Sequence, residues 1–227
     1  ADAGGKQIAS AHGPYRRKHS MNPCLAILSW SSVGLRAAII VVGLVLWHWT
    51  QSLIARKAAP PGGIGDVVHD CTANWHRYFA THDRAANAAL ILSSLCIDVI
   101  GLTLVGAAIF GSTFAPCLAM IILFALRQIC QGLCTLPPPP GIIWRHPGFP
   151  TLLVTYEVGN DFFFSGHTAL AVLGAIMAAQ FGPLWLAWLA AVVACGEMVI
   201  VLLLRAHYTL DVVAGAFAAF FAASVAG

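Results

Sequence analysis

The chain has 227 residues, a length that suits one domain. It is 59% hydrophobic and only 9% charged, whereas soluble globular proteins carry about 25% charged residues. So few charges leave no polar shell for a water-soluble fold, and the composition points to an integral membrane protein. The net charge is +3, and much of it sits in Arg16, Arg17 and Lys18.

Taken in chain order, residues 1–32 read as an N-terminal tail, expected to be disordered and cytoplasmic. Its basic cluster lies just before the first apolar run, the usual cytoplasmic flank of a span. A nucleic-acid patch is the other reading of such a cluster. The apolarity of the chain argues against it, and no nucleic-acid partner is expected. Residues 33–227 read as one membrane domain with six candidate spans: Val33 to Ala55, Ala85 to Phe110, Phe114 to Cys134, Gly166 to Phe181, Leu184 to Leu204 and His207 to Ala226. The expected fold class is all-α, a polytopic bundle of six transmembrane helices. The fourth span is short, so it is expected to start before His167 or to sit tilted.

Two polar segments interrupt the spans. Arg56 to Arg84 contains the breaker "APPGGIGD" and then "DCTANWHRYFATHDR". That second stretch mixes Trp75, Tyr78 and Phe79 with His76, Arg77, His82 and Arg84, which predicts an amphipathic helix lying in the interface. Thr135 to Phe164 opens with "TLPPPPG", a stiff extended stretch. The seven cysteines are odd in number and show no paired spacing, which argues against a disulfide scaffold. Inside a bilayer they act as small apolar residues.

With six spans, the segments after spans one, three and five share one membrane face. "SGHT", Ser165 to Thr168, ends the segment after span three, and "RAHYTLD", Arg205 to Asp211, fills the turn after span five. The two motifs therefore share a face although about forty residues separate them. If the basic tail is cytoplasmic, that face is lumenal or extracellular, as in an endomembrane (endoplasmic reticulum or Golgi) or plasma-membrane protein. Arg56, Lys57, Arg77 and Arg84 then fall on the side that the charge rule disfavours.

His207 and Asp211 are four apart, a spacing that stacks them on one helix face. A carboxylate one turn away accepts a hydrogen bond from one ring nitrogen and leaves the other as a directed nucleophile or base. The bland reading of this pair is interfacial snorkelling. In "DFFFSGHTAL", Ser165 suits an N-cap and Gly166 lets a ligand approach the backbone. Free amides at a helix N-terminus attract phosphate. His167, in the first turn, is placed to reach a bound anion and to cycle as acid and base, or else simply to cap the helix. Arg127 lies within a span and is a functional candidate by default; it would bind phosphate, or pair with Asp98 or Glu197. Arg205 is a second phosphate-clamp candidate.

Together these residues resemble the lipid phosphatase and phosphotransferase superfamily (type 2 phosphatidic acid phosphatase-like), which works through two histidines and an aspartate. The detail is closer to the sphingomyelin synthase branch. That branch has an acidic residue and aromatics before "SGHT", matched by Asp161 and Phe162 to Phe164, and "HYTID" where this chain has "HYTLD". Its Arg followed nine residues later by Leu-Pro-x-Pro-Gly is matched by Arg127 and Leu136 to Gly141, with one residue more before the glycine. The plant phosphatidylcholine:diacylglycerol cholinephosphotransferases share this architecture and carry Arg two residues before the second histidine, as Arg205 does. The wider phosphatases' Lys-x6-Arg-Pro motif is absent, since no Lys follows Lys57 and no Arg-Pro occurs.

The resemblance implies a catalytic set of His167, His207 and Asp211. His207 would attack the phosphorus of a phospholipid donor, Asp211 would orient it, and His167 would protonate the departing diacylglycerol and then deprotonate an acceptor hydroxyl. Arg127, Asp161, Ser165, Gly166, Arg205 and Tyr208 would bind the substrate and its phosphate. Choline recognition would use aromatic faces, with Tyr156, Phe162 to Phe164 and Tyr208 as candidates. The scheme requires no cofactor and no metal. The implied activity moves a phospho-headgroup, phosphocholine foremost, from a phospholipid to a lipid alcohol such as diacylglycerol or ceramide. The partners are those lipids and the bilayer, and a homo-oligomer is left open. Three alternatives stand beside it. One is a lipid phosphate phosphatase acting on phosphatidic acid or related lipids. Another is a metal-dependent membrane hydrolase with His167, His207 and Asp211 as zinc ligands. The third is a non-enzymatic lipid-binding or scramblase-like protein.

Overall fold

The computed structural model describes residues 33–54, 56, 64–156 and 162–227. The expected tail, residues 1–32, and Asp161 lie outside the described residues. The fold is all-helical: α1 (Val33–Ile54), α2 (Val67–Cys71), α3 (Ala73–Thr81), α4 (Asp83–Phe110), α5 (Ala115–Leu133), α6 (Gly166–Phe181), α7 (Leu184–Leu203) and α8 (Thr209–Ala226). Five of these, α1, α4, α5, α7 and α8, are long and apolar enough to cross a membrane. The sixth, α6, is apolar but has 16 residues. At 1.5 Å per residue it rises about 24 Å, less than a bilayer core of about 30 Å. It does not extend N-terminally of Gly166, because Ser165 caps it there in an extended conformation.

The bundle is arranged by what its helices expose. Leu184, Trp185, Trp188, Leu189 and Val192 of α7 are exposed, as are Phe217, Phe220 and Phe221 of α8. In water these faces would be a liability, and against acyl chains they are the favourable surface. The central helix is α6, buried continuously from Thr168 to Leu173 and packed against α7, α8 and α4. Among its neighbours, α8 buries mostly small residues, Gly215, Ala219, Ala222, Ala223 and Ala226. Small residues let helix backbones approach closely where lipid supplies no hydrophobic drive. At Gly215 a Cβ would stand 2.7 Å from the Ser165 carbonyl oxygen and 3.4 Å from the Ala169 nitrogen, so only glycine fits the crossing.

Polar groups within the bundle are tied to one another. Arg36 of α1 donates from Nη1 to the Gly111 carbonyl at 2.9 Å, closing the α4–α5 turn. Asp98 of α4 accepts the backbone N–H groups of Leu152 (3.0 Å) and Leu153 (2.9 Å). That pair of bonds holds the non-helical segment after Pro150 against the middle of α4. Irregular backbone at membrane depth survives only when protein satisfies its amides, and Asp98 does so here. Glu197 of α7 accepts from Ser93 Oγ at 2.6 Å.

The interfacial segment differs from the single amphipathic helix expected over Asp70 to Arg84. It is two short helices, because the Asp66 side chain caps α2 by accepting from Val68 N and His69 N, and the chain turns again at Thr72 and His82. Trp75 is 65% exposed and Tyr78 48%, while His69 and His76 are buried. The rings of Trp75 and Tyr78 face outward, as suits a membrane interface, and His69 and His76 face the protein.

The α6–α8 crossing gives a stability test. Gly215→Ala forces a Cβ against backbone rather than a movable side chain and should destabilise by about 1–3 kcal/mol. Gly196→Ala, where a Cβ meets nothing within 4 Å, should not destabilise. Thermal unfolding of both variants in the same detergent checks this. Equal stability of the two would contradict the packing described.

Candidate active site

The site is built where α6 begins. Ser165 is the N-cap and its Oγ accepts from Thr168 N at 3.3 Å. Gly166 is the first helical residue, and the Arg127 guanidinium of α5 lies across it. A Cβ at Gly166 would stand 3.0 Å from Arg127 Nε and 3.3 Å from Cζ. Arg127 donates from Nε to the Phe164 carbonyl (3.3 Å) and from Nη1 to Gln51 Oε1 of α1 (3.4 Å). A guanidinium and a helix N-terminus thus converge on one point, a pairing that favours a phosphate. His167, the next residue, packs its ring edge-on to Trp144, with centroids 5.1 Å apart and planes at 87°. Its Nε2 is buried with no protein partner among the described residues.

The second histidine arrives on the turn between α7 and α8. After Leu203 the chain leaves its helix by a reversal in which Ala206 N donates to Val201 O (2.8 Å) and Arg205 N to Leu202 O (3.1 Å). This pattern needs a left-handed residue, normally glycine; here it is Arg205, with φ +53°. The strain is offset by its guanidinium, which donates to the carbonyl oxygens of Pro140 (2.9 Å) and His69 (3.5 Å). His207 follows in the turn, 7% exposed. Its Nδ1 lies 3.0 Å from the Phe162 carbonyl. A carbonyl only accepts, so Nδ1 carries the proton and Nε2 the lone pair.

The expected stacking of His207 and Asp211 on one helix face is corrected here. Helix α8 starts at Thr209, so His207 precedes it. Asp211 reaches back from the third helical position, its Oδ2 accepting from Tyr208 N at 3.0 Å, a capping bond. Its carboxylate stays 3.8 Å from His207 Nδ1, close enough for charge compensation but beyond a hydrogen bond. The Phe162 carbonyl sets the tautomer in its place. The two motifs are joined directly, for Ser165 N donates to the Asp211 carbonyl at 3.0 Å.

His167, His207, Arg127 and Gly166 line a common cavity of about 400 Å³. Trp144 and Phe162 stand beside them, and the walls running away from this polar end are apolar, with Ile40 and Trp47 from α1, Ile97 from α4, and Met120 and Phe124 from α5. Other residues singled out in the sequence sit elsewhere. Tyr208 is buried, accepts at its hydroxyl from Ile64 N (3.3 Å), donates to Pro138 O (3.5 Å), and stacks on His69. It lines a separate cavity of about 330 Å³ with Asp66, Leu136 and Asp211. Arg205 points to the proline segment, as above, and Ser165 is wholly buried beneath Gly166. Tyr156 packs on the far side of Trp144. Sequence reasoning missed Trp144 and Gln51, neither of which carries a local signal. It also missed Asp66 and His69 as neighbours of the His207 turn, although the interfacial segment that holds them was legible. No three His, Cys, Asp or Glu side chains among the described residues form a group able to hold a metal; His167, His207 and Asp211 do not converge as a zinc set.

Residues 65–227, more than two thirds of the chain, match the family model described as AtPDCT1/2. No curated protein and no solved structure matches the chain. The matched stretch runs from the start of the interfacial helices to the end of α8, so it takes in both histidine motifs, Arg127 and the proline segment. The chain belongs to the phosphatidylcholine:diacylglycerol cholinephosphotransferase family.

Proposed function

We propose that the protein transfers phosphocholine from phosphatidylcholine to diacylglycerol through a phosphohistidine formed on His207. The observation that carries this reading is the convergence of both imidazoles and the Arg127 guanidinium at the polar end of an otherwise apolar cavity. In the first half-reaction His207 Nε2 attacks phosphorus and the bond from phosphorus to the diacylglycerol oxygen breaks. Protonated His167 gives its proton to that oxygen. The imidazole of the phosphoenzyme gains positive charge, which the Phe162 carbonyl at 3.0 Å and the Asp211 carboxylate at 3.8 Å offset. In the second half-reaction neutral His167 takes the proton of the acceptor hydroxyl, the new oxygen–phosphorus bond forms, and His207 is released. Donor leaving group and acceptor are then the same chemical class, so one apolar cavity serves both halves. The apolar walls favour a lipid alcohol over water as acceptor. The kinship with the sphingomyelin synthases and the wider lipid phosphatase superfamily rests on the same two motifs, and ceramide is the acceptor that would express it.

The test is transfer by purified protein in vesicles holding headgroup-labelled phosphatidylcholine and a diacylglycerol of different acyl composition. Label should appear in phosphatidylcholine bearing the acceptor's chains. Free phosphocholine or phosphate as the main product would show a hydrolase, and label in sphingomyelin when ceramide is supplied would show a broader acceptor range. His167→Ala and His207→Ala should each lower transfer at least about 100-fold. Gly166→Ala, which displaces Arg127 by a few tenths of an ångström, should keep the fold and lower transfer by about tenfold.

The orientation follows from the tail. If Arg16, Arg17 and Lys18 mark the cytosolic side, then the α6–α7 turn is cytosolic too and the site faces the lumen of an endomembrane compartment or the cell exterior. In sealed microsomes a membrane-impermeant maleimide should label Leu184→Cys and spare native Cys71, which is exposed on the site's face. Peptide mapping that finds Cys71 labelled and Leu184→Cys protected would invert the orientation.

A further inference from the structure

The turn that carries His207 is held from outside the bundle. Asp66 accepts Thr209 N–H at Oδ2 (2.6 Å) and the Thr209 hydroxyl at Oδ1 (2.8 Å), while the same Oδ1 accepts from Val68 N and His69 N. His69 Nε2 lies 3.0 Å from the His207 carbonyl oxygen, to which it can only donate. His76 Nδ1 donates to the Leu203 carbonyl at 2.9 Å. Three side chains of the interfacial segment thus grip the last residue of α7, the backbone of His207 and the first residue of α8. Burying two histidines to bond backbone carbonyls is an expensive way to dock a surface segment, and an apolar contact would dock it as well. What apolar contact would not do is fix the height and tilt of one turn. Burial raises the Asp66 carboxyl, but the bonds from Thr209 and His69 prevail and hold it below its usual value. Burial, aided by the Arg205 charge, holds His76 below the usual imidazole value despite its bond to Leu203. Asp66 is therefore an anion, and His76 a neutral donor, at neutral pH.

We propose that Asp66 and His69 are positioning residues that aim the His207 imidazole into the cavity, so that the interfacial helices are part of the transfer machinery rather than a membrane anchor. The proposal rests on the reading of His207 as the nucleophile. Neither residue lines the cavity, so their loss should spare lipid binding and slow the chemistry.

Three variants separate this from general stability. His69→Phe keeps a ring against Tyr208 and removes the donor. His69→Gln restores a donor of similar reach. Asp66→Asn still caps α2 but has one carbonyl oxygen for the four donors that two oxygens now serve. His69→Phe and Asp66→Asn should lower kcat about 10- to 100-fold with KM within about twofold, and His69→Gln should recover most of it. Amide exchange across residues 203–211 should quicken in the two impaired variants and return in His69→Gln. Wild-type kcat and unchanged exchange in both His69→Phe and Asp66→Asn would overturn the proposal, as would a His69→Gln as slow as His69→Phe. If wild-type protein transfers no headgroup, the nucleophile reading fails on its own. The exchange data then decide the clamp alone: quickened exchange supports it and unchanged exchange overturns it.

Discussion

Everything in the site depends on how closely the start of α6 meets the start of α8. The Ser165 carbonyl fills the space where a Gly215 side chain would stand, and the Ser165 amide bonds the Asp211 carbonyl at 3.0 Å. These contacts are between backbones, so they leave little play. They place the residue after Gly166 and the residue before Tyr208 in the wall of one cavity, although the two are forty positions apart. Further along α8 the buried face is alanine-rich. Arg127 then completes the site from a third helix, lying over the one glycine that admits it.

A second constraint comes from lipid. Each polar group placed among the spans needs a protein partner, because hydrocarbon offers none. The chain repeatedly answers this by bonding side chains to loop backbone. Asp98 holds the amides of Leu152 and Leu153, Arg36 the Gly111 carbonyl, and Arg127 the Phe164 carbonyl. His207 uses the Phe162 carbonyl in the same manner. The described residues between α5 and α6 are therefore held from three sides, with the Phe162 carbonyl bonded to His207 and the Phe164 carbonyl to Arg127. His167 Nε2 is one of several buried side-chain atoms with no hydrogen-bond partner among the described residues, and it faces the cavity. It is the group the proposed reaction needs to exchange a proton with substrate.

Much of the architecture could be read directly from the sequence. Lengths and hydropathy placed the spans within a few residues of their observed ends, because a bilayer core demands long apolar runs. Parity alone brought "SGHT" and "HYTLD" to one face. Local spacing served less well. The four-residue interval of His207 and Asp211 reads as a helical turn, but the chain reverses at Arg205 and α8 starts only at Thr209, which no periodicity reveals. Arg205 and Tyr208, expected to bind phosphate and choline, hydrogen-bond to the Pro140 and Pro138 carbonyls, contacts that no local pattern reveals. The partners of Asp98, His69 and Asp66 come from segments far away in sequence, so their roles were invisible to any local pattern. The interfacial helices turn Trp75 and Tyr78 outward and His69 and His76 inward, as suits a segment with the membrane as solvent on its outer side.

The central claim is that His207 Nε2 takes the phosphoryl group. The direct measurement is to mix the protein with phosphatidylcholine labelled at phosphorus, quench in alkali, where phosphohistidine survives, and map the label by peptide. The account predicts a labelled peptide containing His207 in the wild type, no label in His207→Ala, and slowed labelling in His167→Ala that a donor with a leaving group needing no proton partly restores. Label retained at the wild-type level in His207→Ala but lost in His167→Ala would show that the two histidines have been assigned in reverse.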